Sequence, residues 1–273
     1  MSKSNLFTRT ITGLLYGLVL IASLIINYYT FYVFFFIVLV LGLKEFYQIV
    51  QKKDIIPQKI LGFVISIGLY ISSFLLHINE KMSYFTINLV LAMTFLLFAV
   101  ELFRGKEISF INIGATIFGV IYIAFPLSLL TLLALDSNNL YSYNLTLSMF
   151  ILVWLSDVGG YIIGVNFGKH KLFERISPKK TWEGVVGSLL LCIIGSFVLH
   201  QFIPIMNINL WLTLSIIVCV SSVIGDLIES MLKRSVNIKD SGNILPGHGG
   251  ILDRFDSVLF VIPMVYIFKF FML

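Results

Sequence analysis

The chain has 273 residues, of which 58% are hydrophobic and 12% are charged, and its formal net charge is +5. Because an average water-soluble domain carries about 25% charged residues, this composition excludes a water-facing globular surface. The sequence therefore predicts an all-α, polytopic integral membrane protein, and no nucleic-acid partner is expected.

Nine apolar stretches are long enough to cross a membrane, since a helical span takes about 20 mostly apolar residues. They lie at residues 11–28, 29–47, 60–78, 84–102, 109–135, 145–168, 184–203, 208–230 and 253–272. The first two follow each other almost directly, which predicts a tight helical hairpin. No small-residue cleavage site follows residues 11–26, so we expect no cleavable signal peptide.

The basic residues indicate how these spans are oriented. With nine spans, all 19 lysine and arginine residues except Lys81 and Lys269 fall on the same side as the N-terminus. Because positive residues concentrate on the cytoplasmic side, we expect a cytoplasmic N-terminus and an external C-terminus. The two longest charged loops, 169–183 and 231–252, then face the cytoplasm. We expect the protein in the cytoplasmic membrane of a prokaryote, with its active site on the cytoplasmic side.

The residues that suggest chemistry come after residue 150. We therefore divide the chain into residues 1–143, with about five spans, and a catalytic region at residues 144–273. This second region holds about four spans and both charged loops.

Five acidic residues lie within or at the ends of the later spans, where ionisable groups are rare and indicate a functional site. Asp157 lies in the middle of the sixth span. Asp226 and Glu229 share a helix face at i, i+3 spacing, and Asp253 and Asp256 repeat that spacing. Asp226, Asp253 and Asp256 would repel each other near one membrane surface unless a cation lay between them. Mg²⁺ suits such oxygen ligands, usually together with substrate phosphates, and the site could take a second cation.

Two of these acids also have simpler interpretations. Asp157 could form a hydrogen bond between helices, and Glu229 could form an ion pair with Lys233, four residues later. Both interpretations stay open from the sequence.

Basic and small residues near the acids predict a phosphate-rich substrate. The candidate contacts are Ser177, Lys179, Lys180, Lys233, Arg234, Lys239, His248, Gly249, Gly250 and Arg254. Pro178 and Thr181 suit a turn into the seventh span, where backbone N–H groups can meet an anion. The glycines favour close backbone approach. Basic loops can also attract anionic lipid head groups, which is the simpler interpretation of Lys52 and Lys53.

The stretch from Ser230 to Asp256 resembles the signature of the phosphatidate cytidylyltransferases, also called CDP-diacylglycerol synthases. It matches the family pattern S-x-x-K-R-x-x-x-x-K-D-x-x-x-x-x-P-x-H-G-G-x-x-D-R-x-D at every fixed position. A second block is similar to the same family and consists of Asp157, Tyr161, Gly164, Phe167, Gly168 and residues 176–184. Outside these two blocks the likeness is limited to hydropathy and length.

The resemblance implies a reaction in which CTP and phosphatidic acid give CDP-diacylglycerol and diphosphate. It also implies dependence on Mg²⁺, a mostly helical membrane fold and, in at least some members, homodimers. We expect catalytic roles for Asp226, Asp253, Lys233, Arg234 and Lys239. We expect the metal to be held by Asp226, Asp253 and Asp256, and CTP or lipid to be bound by Asp157, Ser177, Lys179, Lys180, His248, Gly249, Gly250 and Arg254.

Other activities remain open. A CTP-dependent polyprenol kinase, or a cytidylyltransferase acting on another lipid phosphate, would use the same residue types. A transporter with the acids as an ion relay is disfavoured, because the chain shows no paired, interrupted helices in two repeats.

Overall fold

The structure, a computed structural model, describes residues 3–136, 138–244 and 249–272, with side chains from residue 12 onward. Its helices are α1 (Lys3–Ile26), α2 (Tyr28–Gln51), α3 (Lys59–Ile78), α4 (Glu80–Arg104), α5 (Ser109–Gly119), α6 (Phe125–Leu133), α7 (Asn144–Phe167), α8 (Trp182–Phe202), α9 (Ile208–Ser235) and α10 (Leu252–Lys269). A π-helical turn, Val120–Ala124, joins α5 to α6. Two short strands, β1 (Lys171–Phe173) and β2 (Ser177–Thr181), lie between α7 and α8.

Each of the nine predicted spans coincides with a helical segment, the fifth being α5, the π-helical turn and α6 together. Within the described ranges, seven of these segments are long and apolar enough to cross a membrane, from α2 through α9. α10 contains Asp253, Arg254, Asp256 and Lys269 and is therefore less apolar. The prediction of an all-α, polytopic membrane protein is confirmed.

The chain forms two compact units. Unit 1 comprises Met1–Leu132 and Val236–Arg254, and unit 2 comprises Leu133–Ser235 and Phe255–Leu273. The predicted catalytic region at residues 144–273 is a functional division and stays a prediction.

Unit 1 begins with the predicted tight hairpin, since α1 ends at Ile26 and α2 begins at Tyr28. Asn27 caps α2. Its side chain accepts the Thr30 N–H at 2.9 Å, and the Thr30 hydroxyl accepts the Asn27 N–H at 3.2 Å. This reciprocal pair satisfies two N–H groups that the start of a helix otherwise leaves without acceptors.

The π-helical turn in unit 1 is explained by Pro126. Proline has no N–H group and cannot donate to the carbonyl oxygen four residues earlier. The preceding Phe125 N–H bonds instead to the carbonyl of Val120, five residues back. A single wide turn of this kind leaves the helix continuous, so the fifth span is unbroken.

A buried polar network in unit 1 surrounds Glu101 of α4. Its carboxylate accepts hydrogen bonds from Gln58 Nε2 at 2.6 Å and Asn112 Nδ2 at 3.1 Å, and pairs with Arg104 at 2.6 Å. Because a buried carboxylate is costly without partners, these contacts fix the segment before α3 against α4 and α5.

Unit 2 is built on close packing of α7 against α8. A Cβ atom added to Gly160 would lie 2.8 Å from Ser188 Oγ, and one added to Gly184 would lie 3.0 Å from the Gly160 carbonyl oxygen. Small residues allow such backbone approach between membrane helices. The Ser188 hydroxyl donates to the Ser156 carbonyl at 2.6 Å, which fixes the turn of α7 that contains Asp157.

The strands β1 and β2 form an antiparallel hairpin that the sequence analysis did not predict. The prediction that Thr181 suits the entry to the seventh span is confirmed, because its hydroxyl accepts the Gly184 N–H at 3.1 Å as the N-cap of α8. The prediction for Pro178 is wrong, because this residue lies inside β2. A two-stranded hairpin has only edge strands, where a missing N–H is tolerated.

Candidate active site

Lys180 of β2 and Asp226 of α9 form the central ion pair of unit 2. The Lys180 Nζ lies 2.6 Å from Asp226 Oδ2, and it also donates to the Val223 carbonyl at 3.3 Å. The two side chains are 24% and 34% exposed. Each partner is therefore accessible to a phosphate or a cation that could replace the other.

Two further predicted acids lie beside this pair. Asp157 and Asp256 are both close enough to Asp226 to interact with it electrostatically. A Cβ atom added to Gly225 would lie 3.1 Å from the Asp256 carbonyl oxygen, so the backbones of α9 and α10 are in contact there. Like charges at close range repel each other, and Lys180 supplies a counter-charge that also acts on Asp157.

The end of α9 contains a buried ion pair between Glu229 and Lys233, four residues apart. This contact confirms the simpler interpretation of Glu229. Next to Glu229 in the chain, the Ser230 hydroxyl donates to Asp226 Oδ1 at 3.3 Å and so orients the second oxygen of that carboxylate. Arg234 is exposed in the last turn, where a positive charge is favourable near the carbonyl end of a helix.

Glu183 fixes the base of the β-hairpin, a role that the sequence analysis missed. Its carboxylate lies 2.6 Å from His170 Nδ1 and accepts the backbone N–H groups of Lys169 and His170 at 3.1 and 3.2 Å. These contacts join the end of α7 to the start of α8. On the strand that follows the hairpin turn, Ser177 is half-buried and Lys179 is exposed.

In unit 1, Asp253 is held by the loop that precedes α10. The Ser241 N–H lies 3.1 and 2.9 Å from the two carboxylate oxygens, and the Gly250 N–H donates to Oδ2 at 2.8 Å. These contacts join the two ends of the loop through a single side chain.

Glu45 of α2 holds the same loop and was also missed. It is 1% exposed and accepts hydrogen bonds from the Ile251 N–H at 3.0 Å, the Leu252 N–H at 2.9 Å and the Ser241 hydroxyl at 3.2 Å. A signal for it was present, because Glu45 lies inside the predicted span at residues 29–47. The rule that selected Asp157 applies to it equally.

The predicted site residues are divided between the two units. Unit 2 contains Asp157, Ser177, Lys179, Lys180, Asp226, Lys233, Arg234 and Asp256. Unit 1 contains Lys239, Gly249, Gly250, Asp253 and Arg254, of which Lys239 and Arg254 are exposed. The predicted substrate contact His248 lies outside the described residues. The catalytic and binding roles of all these residues stay predictions.

The carboxylates of unit 2 are candidate ligands for Mg²⁺. Among the described residues, no three histidine, cysteine, aspartate or glutamate side chains are arranged to hold a metal ion by themselves. Mg²⁺ usually takes one or two carboxylates and completes its shell with water and substrate phosphates. Asp226 and Asp256 supply such carboxylates, so their chemistry fits Mg²⁺ bound jointly with a phosphate substrate.

Comparisons with known proteins relate the whole chain to one family. A model of the cytidylyltransferase family matches residues 7–272. The phosphatidate cytidylyltransferase of Staphylococcus haemolyticus strain JCSC1435 is 34% identical over 261 residues, which cover 95% of this chain and 97% of the relative. Proteins of the same name from Staphylococcus saprophyticus and from Staphylococcus aureus strain COL are 34% and 32% identical, with the same coverage.

These matches extend over nearly all of both compact units and include every element that contributes a candidate residue. The three relatives are bacterial, in agreement with a membrane protein of a prokaryote. The chain belongs to the cytidylyltransferase family and is a membrane-spanning nucleotidyltransferase.

Proposed function

We propose that the chain is a phosphatidate cytidylyltransferase, which converts CTP and phosphatidate into CDP-diacylglycerol and diphosphate. The observation that carries this proposal is the alignment over 95% of the chain with a relative of that name. The cluster of carboxylates around Lys180 supports it, because both substrates bring phosphate groups that need counter-charges and cations.

In the proposed reaction, a phosphate oxygen of phosphatidate attacks the α-phosphorus of CTP. A new phosphorus–oxygen bond forms while the bond from the α-phosphorus to the bridging oxygen breaks, and diphosphate leaves with the electron pair. The attacking oxygen is already anionic, so no side chain has to remove a proton. Transfers of this type depend mainly on positioning and on neutralising the charge that develops.

Lys180 is suited to exchange its ion pair with Asp226 for one with a substrate phosphate. Before substrate binds, its ammonium group neutralises Asp226. When a substrate phosphate arrives, Lys180 can turn toward it, and Asp226 then becomes available to a cation that enters with the nucleotide. The exchange keeps every charge paired, which matters near lipid, where an unpaired charge is costly.

Lys179 has a different part in the proposal. Successive side chains of a strand point to opposite faces. Lys180 points toward α9, whereas Lys179 is exposed. Lys179 therefore attracts phosphate groups from solution and contributes to substrate capture more than to the chemical step.

Mg²⁺ is part of the proposal, with Asp226 and Asp256 as ligands in unit 2. When bound, the ion would neutralise phosphate oxygens and orient the nucleotide for in-line displacement. Asp253 of unit 1 remains the third predicted ligand, and a second cation remains an expectation.

The proposed site faces the cytoplasm, where CTP is present. The distribution of lysine and arginine supports this orientation, because the segment between α7 and α8 and the segment after α9 are both rich in positive charge.

The experiment that tests the proposed function uses the detergent-purified protein with phosphatidate and CTP labelled at the α- or the γ-phosphate. We expect α-label in the lipid product, γ-label in diphosphate, and loss of both when Mg²⁺ is removed with a chelator. Transfer of γ-label to lipid would instead indicate a kinase. Failure with phosphatidate but reaction with another lipid phosphate would indicate a different acceptor.

A further inference from the structure

Glu45 is a buried carboxylate that the proposed reaction does not use directly. It lies in the fifth turn of α2, a helix whose other residues are mostly apolar. Its three hydrogen-bond donors all come from the loop and helix start at residues 241–252. Burial of a carboxylate is unfavourable unless the group is hydrogen-bonded, so the contacts of this side chain must offset its loss of hydration.

Both oxygens of Glu45 accept from the main chain at the start of α10. Oε1 receives the Ile251 N–H, and Oε2 receives the Leu252 N–H. The first N–H groups of a helix have no acceptor within the helix, and a negative charge is favourable there. A glutamine of the same shape could satisfy only one of the two groups, because its nitrogen is a donor.

Two glycines of the loop make room for this carboxylate. A Cβ atom added to Gly242 would lie 2.5 Å from Glu45 Oε1, and one added to Gly250 would lie 2.5 Å from Oε2. Real Cβ atoms do not occupy such positions, and the neighbour that would have to move is buried. The side chain that closely approaches the Gly250 backbone is therefore that of Glu45.

The contacts of Glu45 and those of Asp253 share the same residues. Ser241 donates its hydroxyl to Glu45 and its backbone N–H to Asp253. The Gly250 N–H donates to Asp253, and the next two N–H groups along the chain donate to Glu45. A displacement of the Glu45 carboxylate would thus shift Ser241 and Gly250, whose backbone N–H groups donate to Asp253.

We propose that Glu45 is a positioning residue that fixes Ser241 and residues 250–252 and, through them, the carboxylate of Asp253. The proposal rests on the proposed cytidylyl transfer for its kinetic consequences. Its structural part, that Glu45 holds this loop, stands independently of the reaction.

The first test compares Glu45→Gln with Glu101→Gln in the CTP and phosphatidate assay. Glu101 is a matched control, since it is also buried in unit 1 and is bonded to three side chains, none of them in the loop. We expect Glu45→Gln to lower kcat about 10- to 100-fold, as loss of a supporting carboxylate one contact away from a reacting group commonly does. KM for both substrates should change less than about threefold. An unchanged kcat, or an equal loss in Glu101→Gln, would overturn the proposal.

The second test leaves Glu45 in place and disturbs its surroundings. Gly242→Ala adds a methyl group against the carboxylate, whereas Gly114→Ala in α5 adds one where no atom lies within 4 Å. We expect Gly242→Ala to lower kcat as Glu45→Gln does, and Gly114→Ala to leave it unchanged. The double variant Glu45→Gln/Gly242→Ala should lose no more than the worse single variant, because both act through one contact. Full additivity, or a normal kcat in Gly242→Ala, would contradict the proposal.

A third measurement separates this inference from the proposed function. Hydrogen exchange in the peptide covering residues 249–254 should be about tenfold faster or more in Glu45→Gln and unchanged in Glu101→Gln, since local opening exposes the amides that Glu45 protects. If the wild-type protein fails to make CDP-diacylglycerol while exchange behaves as expected, only the proposed function falls. If exchange is the same in all three proteins, the inference about Glu45 falls.

Discussion

Asp253 in unit 1 and Asp226 in unit 2 are both candidate acids, and they differ in how the backbone holds them. Asp253 accepts backbone N–H groups from Ser241 and Gly250. Asp226 contacts the ends of two side chains, Lys180 Nζ and the Ser230 hydroxyl. A backbone donor cannot leave unless the loop unfolds, whereas a lysine can rotate to another anion.

The difference shows that one carboxylate of the motif can have a structural role while another has an electrostatic role. The contacts of Asp253 fix its position and give the loop its shape. Those of Asp226 neutralise its charge and can be replaced by a cation when a substrate phosphate takes Lys180. We therefore expect changes at Asp226 to affect the reaction alone, and changes at Asp253 to affect both the reaction and the loop.

The largest effect is expected for Asp226→Asn. The amide cannot balance Lys180 or bind a cation as a carboxylate does, and kcat should fall about 100- to 1,000-fold, the usual loss of one electrostatic stabiliser. The rate at which α-label is incorporated into lipid measures this kcat. Asp136→Asn is the matched control, since Asp136 Oδ1 accepts the Asn138 and Leu140 N–H groups at 2.8 Å, a role that an asparagine oxygen can fill. A normal kcat in Asp226→Asn would remove this residue from the site.

Asp253→Asn should cause a smaller but broader change. One of its two acceptors becomes a donor that faces a backbone N–H, so we expect kcat to fall about 10- to 100-fold. Hydrogen exchange at Ser241 and Gly250 should also become faster, whereas Asp226→Asn should leave exchange at these two amides unchanged. Equal exchange in both variants would break the proposed contrast between the two acids.

Lys180 and its neighbour Lys179 allow a comparison within one strand. Lys180→Ala leaves Asp226 without its counter-charge and should lower kcat/KM about 10- to 100-fold, the worth of one charge-assisted hydrogen bond. Lys179→Ala removes an exposed charge and should raise KM about fivefold or less with kcat unchanged. The two kinetic constants, measured for both substrates, decide between these expectations. An unchanged KM in Lys179→Ala would remove this residue from substrate capture.

The smallest effect is expected at Thr181, which links the strand of Lys180 to α8. Thr181→Ala removes the cap at the Gly184 N–H and should lower the free energy of unfolding by about 1 kcal/mol. Thr181→Ser keeps the hydroxyl and serves as the control. Thermal unfolding in detergent measures both variants. A loss of activity in Thr181→Ala at temperatures where it is folded would show that the hydroxyl also acts in the site.

The helical spans and the cluster of acids were predictable from the sequence for physical reasons. Lipid requires long apolar helices, and their lengths can be read directly from the chain. Ionisable residues within them stand out, and Asp157, Asp226 and Asp256 do interact in unit 2. The Glu229–Lys233 pair was predictable because both residues lie on one helix, four positions apart.

The parts that escaped prediction depend on contacts between distant residues or on weak local signals. The role of Glu45 depends on its contacts with Ser241 and Leu252, and no local sequence pattern connects these residues to α2. The strands of the hairpin are only three and five residues long, and they are too short for an alternating pattern. Glu183 resembled an ordinary first-turn acid of α8 until the structure placed it beside His170.

The contacts of Glu45 can form only late in synthesis of the chain. Its partner Ile251 lies 206 residues later in the chain, a distance that takes about 10 to 40 s to synthesise at 5–20 residues per second. During that time α2 already exists, while the donors for its carboxylate do not. A ribosome that stops before this point leaves an unsatisfied polar group in an apolar helix, at a cost of about 1–3 kcal/mol. An incomplete chain therefore carries its defect near its beginning, far from the position at which translation stopped.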